Sequence, residues 1–114
     1  MIHLHVTKEV FEKIKNGTKK TEYRPYNKYY YRLFGGFSDT DIMKIDKIKI
    51  YLGYPKKTDK EKIICVNCKI YCTVKYIHLI DPLFIKYYPE YKDDEKACIY
   101  CIELGNLKWN ENNY

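Results

Sequence analysis

The sequence has no run approaching the roughly 20 apolar residues needed to cross a bilayer. Its N-terminus also lacks a basic stretch followed by an apolar core and a small-residue cleavage site. Both absences argue against a membrane partner and a leader, so the expected location is the cytoplasm. There is no internal repeat, no low-complexity tract and no linker, which removes solenoids and strings of modules from consideration. Glycine and proline are scarce, at 5 and 4 residues, and they punctuate rather than pervade the chain. With 114 residues the chain is sized for one domain over 1–114, ending in a polar tail over 108–114.

What is abundant is base and ring. The chain holds 14 Tyr, and 21 Lys+Arg stand against 15 Asp+Glu, for a net charge of +6. Composition bias would spread charge evenly, whereas residues 1–62 hold 15 bases against 8 acids, or +7, leaving −1 for the rest. Between Lys13 and Arg32 seven bases face one acid, Glu22. A concentrated basic face points to a polyanion or a nucleotide.

Five cysteines in a reducing compartment raise the question of metals. Cys65 and Cys68, then Cys98 and Cys101, form two C-x-x-C units, formally the pattern of a four-thiolate zinc site. Their surroundings, IICVNCKIYCTV and ACIYCIEL, are β-branched and aromatic and read as strands. Residues i and i+3 of a strand point to opposite faces, so each pair diverges. The 29 residues between the pairs also exceed the roughly 15 to 20 of the zinc signature. The thiols are therefore assigned to the core, with no metal and no cofactor expected, and the same strand reading argues against a redox pair.

IHLHV (2–6) alternates as a half-buried strand with His3 and His5 on one face. Thr7 caps a helix over 9–16 that turns Val10, Phe11 and Ile14 to one side and stops at Gly17. Thr21 to Arg24 is extended before Pro25, and 26–34 is a short helix docking Tyr30, Leu33 and Phe34. Gly35, Gly36 and the SDTD that follows form a loop. IDKIKIYL (45–52) is a strand, and GYPKKTDKEK (53–62) a basic loop. Residues 63–68 and 69–78 are strands joined either by a hairpin at Asn67 or as one long strand. Asp81-Pro82 opens a tyrosine-rich stretch to Asp94, and 97–107 is the last strand. Strands with one or two early helices make an α+β fold, read as a small mixed barrel.

Two segments carry chemistry. In the first, an extended chain puts Lys20, Glu22 and Arg24 on one face and Lys19, Thr21 and Tyr23 on the other. A carboxylate between two cations is either a salt-bridged strand face or a pocket floor. In a pocket, Arg24 would hold a phosphate or carbonyl, Glu22 would accept from a base amino group or move a proton, and Lys19 would bind phosphate or act as a base. In the second, Tyr54 stands beside Lys56 and Lys57, which suits a base stacking on the ring while the lysines hold phosphates, or else an ordinary solvated loop.

The opening strand, the helix ending in IKNG, the spacing Gly17-x-Lys19-x-x-Glu22-x-Arg24, the YRPYNKY run, Arg32-Leu33 and the GYPKK segment together resemble the ASCH-domain family in its small stand-alone bacterial and phage form. The resemblance covers most of 2–78 and resumes at CIYCIELG. It implies a PUA-like β-barrel with flanking helices, a cleft lined by the Gly17–Arg24 segment, and binding of RNA or modified nucleosides. Some members are amidohydrolases of N4-acetylcytidine or ribonucleases. In the amidohydrolases the segment resembles G-x-K-T-x-T-x-R, with the lysine and second threonine catalytic; here Lys19 keeps the first role and Glu22 stands in the second position.

The expectation is RNA, nucleotide or modified-nucleoside binding through Lys19, Lys20, Glu22, Arg24, Tyr26, Arg32, Tyr54, Lys56 and Lys57. The alternative is a hydrolase in which Lys19 and Glu22 transfer the proton. A third reading is a protein-binding module that presents Tyr87, Tyr88 and Tyr91.

Overall fold

A computed structural model describes residues 1–37 and 43–105. The SDTD loop, the end of the last strand beyond Gly105 and the 108–114 tail lie outside the described residues. The fold is α+β: a five-stranded sheet with three α-helices and three single 3-10 turns among the described residues. In chain order the main elements are β1 (Ile2–Val6), α1 (Lys8–Lys15), β2 (Thr21–Pro25), α2 (Lys28–Leu33), β3 (Met43–Leu52), β4 (Ile63–Tyr76), α3 (Pro82–Tyr87) and β5 (Lys96–Leu104). The strand order is β1-β3-β4-β5-β2. None of these helices is long and apolar enough to cross a membrane.

The chain groups into two compact units. The first comprises Met1–Thr21, Ile45–Lys69 and the chain from Glu103; the second comprises Glu22–Lys44 and Ile70–Ile102.

In the first unit, β1 runs parallel to β3 with Ile2 opposite Ile48 and Val6 opposite Leu52. The alternation of IHLHV buries Ile2, Leu4 and Val6 and leaves His3 and His5 outside, as period-2 patterning requires. Thr7 caps α1 by accepting from the Val10 amide, and Val10, Phe11 and Ile14 form the buried stripe. Glu9 at the start and Lys13 and Lys15 at the end complement the helix dipole. Gly17 has φ +81°, a left-handed conformation that costs glycine nothing, and its amide donates to the Ile14 carbonyl to close the helix. At the far end Gly105 donates to the Asn67 carbonyl at 2.8 Å. A side-chain carbon there would sit 2.9 Å from that oxygen, so the approach is open only to glycine.

β4 runs unbroken from Ile63 to Tyr76, which makes the two expected segments one strand with no turn at Asn67. It buries Ile64, Cys65 and Val66 in succession, and β5 buries Ile99 to Ile102 likewise. Consecutive burial means that both faces are covered there, so thiols that point in opposite directions can all be enclosed.

In the second unit, Asn27 caps α2 through the Tyr30 amide, and Asp81 caps α3 through the Leu83 amide with Pro82 at the first helical position. Ile77, Ile80, Phe84, Ile99 and Cys101 form one core cluster. Tyr88 and Tyr91 pack against it, so two of the three tyrosines expected to face a protein partner are turned inward, and only Tyr87 is exposed. A second cluster is aromatic: Phe34 and Tyr100 are fully buried with ring centroids 4.9 Å apart, and the Tyr100 hydroxyl donates to the Phe37 carbonyl at 2.6 Å.

Candidate functional site

Among the described residues three charged side chains are buried, and all three fall within six positions of the chain: Lys19 at 6% exposure, Glu22 at 5% and Arg24 at 8%. Burying charge is costly unless it is paired, so such a concentration marks a place where the fold tolerates cost. β2 begins only at Thr21, and from there the alternation carries Glu22 and Arg24 inward. Lys20 is exposed and Lys19 is buried. After the Gly17 turn the Lys19 amide bonds to the Lys13 carbonyl at 2.9 Å, and the Lys20 carbonyl accepts from the Leu104 amide at 2.9 Å.

Glu22 and Arg24, two apart on one strand face, form an ion pair with Arg24 Nη1 3.0 Å from Glu22 Oε2. Nη1 also donates to the Tyr23 carbonyl at 3.1 Å, and Glu22 Oε1 accepts from the Tyr23 amide at 2.9 Å. The guanidinium lies 5.9 Å from the centroid of the Tyr30 ring, and the Tyr30 and Tyr88 hydroxyls are hydrogen-bonded at 2.9 Å. Burial works against the Arg24 charge, but Glu22 and then Tyr88 and Tyr30 outweigh it, and the guanidinium is held above its ordinary value. Arg24 Nε is buried with no hydrogen-bond partner. In the same unit Tyr26 is partly exposed, its ring set edge-on to Tyr31 and tilted against Tyr100, and Arg32 is exposed.

The first unit carries two further features. A cavity of about 390 Å³ is lined by Lys15, Asn16, Gly17, Lys19, Lys20 and Gly105 among others, which converges three lysines on one hollow. The second is a ladder of rings. Tyr54, 87% exposed, stacks on His5 at 4.2 Å; His5 stacks on Tyr51 at 4.9 Å, and Tyr51 on His3 at 5.7 Å. His5 Nδ1 lies 2.6 Å from the Gly53 carbonyl, which can only accept, so Nδ1 carries the proton. His3 Nδ1 bonds the Tyr51 hydroxyl at 2.7 Å. Lys56 and Lys57 beside Tyr54 are exposed. The roles of His5 and Tyr51 escaped the sequence reading. The outward alternation of both strands was visible, but only the parallel register that sets His5 opposite Tyr51 brings the rings together.

The cysteines do not sit as two C-x-x-C turns. Cys65, Cys68, Cys72 and Cys101 are buried, Cys98 is half-buried, and Cys72 Sγ lies 3.3 Å from Cys98 Sγ. Among the described residues no group of three or more His, Cys, Asp or Glu is placed to hold a metal ion.

Burial raises the Tyr88 and Tyr100 hydroxyls, and burial with the Cys98 hydrogen bond pushes the Cys72 thiol up to about 12. The folded chain therefore keeps protons that the unfolded chain releases at ordinary values of 9.0 for Cys and 10.0 for Tyr. Stability is complete below about pH 9 and falls as the pH rises above it, because the unfolded state then binds fewer protons. Urea midpoints measured from neutral to alkaline pH should show that decline, and a flat profile up to about pH 11 would contradict these burial shifts.

No family model, curated protein or solved structure matches the chain.

Proposed function

We propose that the chain is an ASCH-type domain on a PUA-like barrel that binds single-stranded RNA, a nucleotide or a modified nucleoside. The observation that carries the reading is the burial of Lys19, Glu22 and Arg24 within one short segment.

Two sets of contacts are assigned. In the second unit the Glu22 carboxylate, fixed by Arg24 and the Tyr23 amide, accepts from the amino group of a base, and Arg24 Nε donates to a carbonyl or phosphate oxygen. Tyr26 offers a partly exposed ring, with Arg32 as a cation in the same unit. In the first unit the cavity lined by Lys15, Lys19 and Lys20 takes backbone phosphates, one on Lys19 and one on Lys20. Tyr54 extends the His3, Tyr51 and His5 stack with one ring face open to a base, flanked by Lys56 and Lys57.

A labelled single-stranded RNA followed by fluorescence anisotropy tests this. Tyr54→Ala should weaken binding by about 1–3 kcal/mol, as for one lost base stack, while leaving the fold intact because the ring is exposed. Unchanged affinity in that variant removes the ring ladder from the site, and no RNA or nucleotide binding by the wild type overturns the function.

A further inference from the structure

The two C-x-x-C units draw the eye in the sequence, but the sulfur contact lies elsewhere. Cys72 on β4 and Cys98 on β5, neighbouring strands of the sheet, hold their sulfurs 3.3 Å apart. Two thiols in contact across adjacent strands need little backbone movement to reach the bonding distance of about 2 Å. The two differ in burial. Cys72 is fully buried, whereas Cys98 is only half-buried.

We propose that Cys72 and Cys98 are a modification site that forms a reversible disulfide with a hydroperoxide as oxidant. The partly exposed Cys98 reacts first. Its sulfur attacks the peroxide, the O–O bond breaks, an alcohol or water leaves, and Cys98 becomes a sulfenic acid. The Cys72 sulfur then attacks the Cys98 sulfur, the S–O bond breaks, and water leaves with the Cys72 proton. Two thiols have lost two electrons and two protons, and one hydroperoxide has been reduced to an alcohol and water. The Cys72 thiol, pushed up by burial and the Cys98 hydrogen bond, keeps its proton while Cys98 reacts and gives it up only as its sulfur attacks, which makes resolution the slower of the two steps. Cys98 also ties the strand to β2's end, since its carbonyl accepts from the Tyr26 amide at 3.3 Å. The inference does not depend on the nucleic-acid reading.

The test treats the folded protein with stoichiometric hydrogen peroxide, blocks remaining thiols with N-ethylmaleimide, digests without reduction and maps crosslinks by tandem mass spectrometry. The expected product joins peptide 70–75 to peptide 97–108, with fragment ions placing the bridge at Cys98 rather than Cys101, and dithiothreitol reverses it. In Cys72→Ser the bridge should vanish and dimedone should trap Cys98 as the sulfenic acid. The wild-type measurement stands whether or not that variant folds. A bridge between Cys98 and Cys101, one between Cys65 and Cys68, over-oxidation of Cys98 without a bridge, or no reaction each overturns the proposal.

Discussion

Replacing Arg24 alone by Met should cost about 3–5 kcal/mol, because it leaves the Glu22 carboxylate buried without its counter-charge. That is a large share of the roughly 5–15 kcal/mol that holds a small domain together, so Arg24→Met should be largely unfolded near physiological temperature. The paired variant Glu22→Met/Arg24→Met should recover most of the loss, since two apolar side chains of similar volume need no mutual solvation. Urea denaturation of the two singles and the double gives the coupling energy directly. A double variant as unstable as the sum of its singles would show that the pair is not coupled and that its burial is incidental. The double variant should also fail to bind nucleic acid while remaining folded, and this separates the structural role of the pair from its recognition role.

Affinity for single-stranded RNA should fall roughly a hundredfold between about 50 and about 200 mM salt. That figure follows if Lys19, Lys20, Arg32, Lys56 and Lys57 each neutralise one phosphate and release about 0.7 counterion apiece. Arg24 is left out of the count because Glu22 already balances its charge. Lys56→Ala/Lys57→Ala should flatten the plot of log affinity against log salt by about 1.4, with no change in stability, because both side chains are exposed. A salt-independent affinity would move the account away from a polyanion and toward an uncharged nucleoside held by Glu22 and Arg24 alone.

Much of the fold was legible because local chemistry and period agreed. IHLHV alternates, Thr7 and Gly17 bracket an apolar stripe, and IDKIKIYL alternates again; each became the element its pattern predicts. β3 begins two residues earlier than that pattern. The failures have one physical source, which is that strand parity and pairing partners are set by tertiary structure. Lys20 shares the parity of Glu22 and Arg24, yet it is exposed where they are buried. Cys72 belonged to no motif, and only the adjacency of β4 and β5 sets it against Cys98. The tyrosines divided by position. Tyr100 and Tyr88 went to core and hydrogen-bonding roles, while Tyr54 stayed almost fully exposed on a histidine ring. The charge asymmetry, in contrast, pointed to the Lys13–Arg32 stretch, which holds the buried Lys19, Glu22 and Arg24.

The most direct measurement is to purify the protein at low salt and identify by mass spectrometry the nucleotide or nucleic acid that comes with it, for wild type and for Lys19→Gln. The wild type should carry such a ligand and Lys19→Gln markedly less, with both forms showing the same folded spectrum. Equal loading of the two forms, or a wild type that carries nothing and binds no added RNA or nucleotide, would contradict the account.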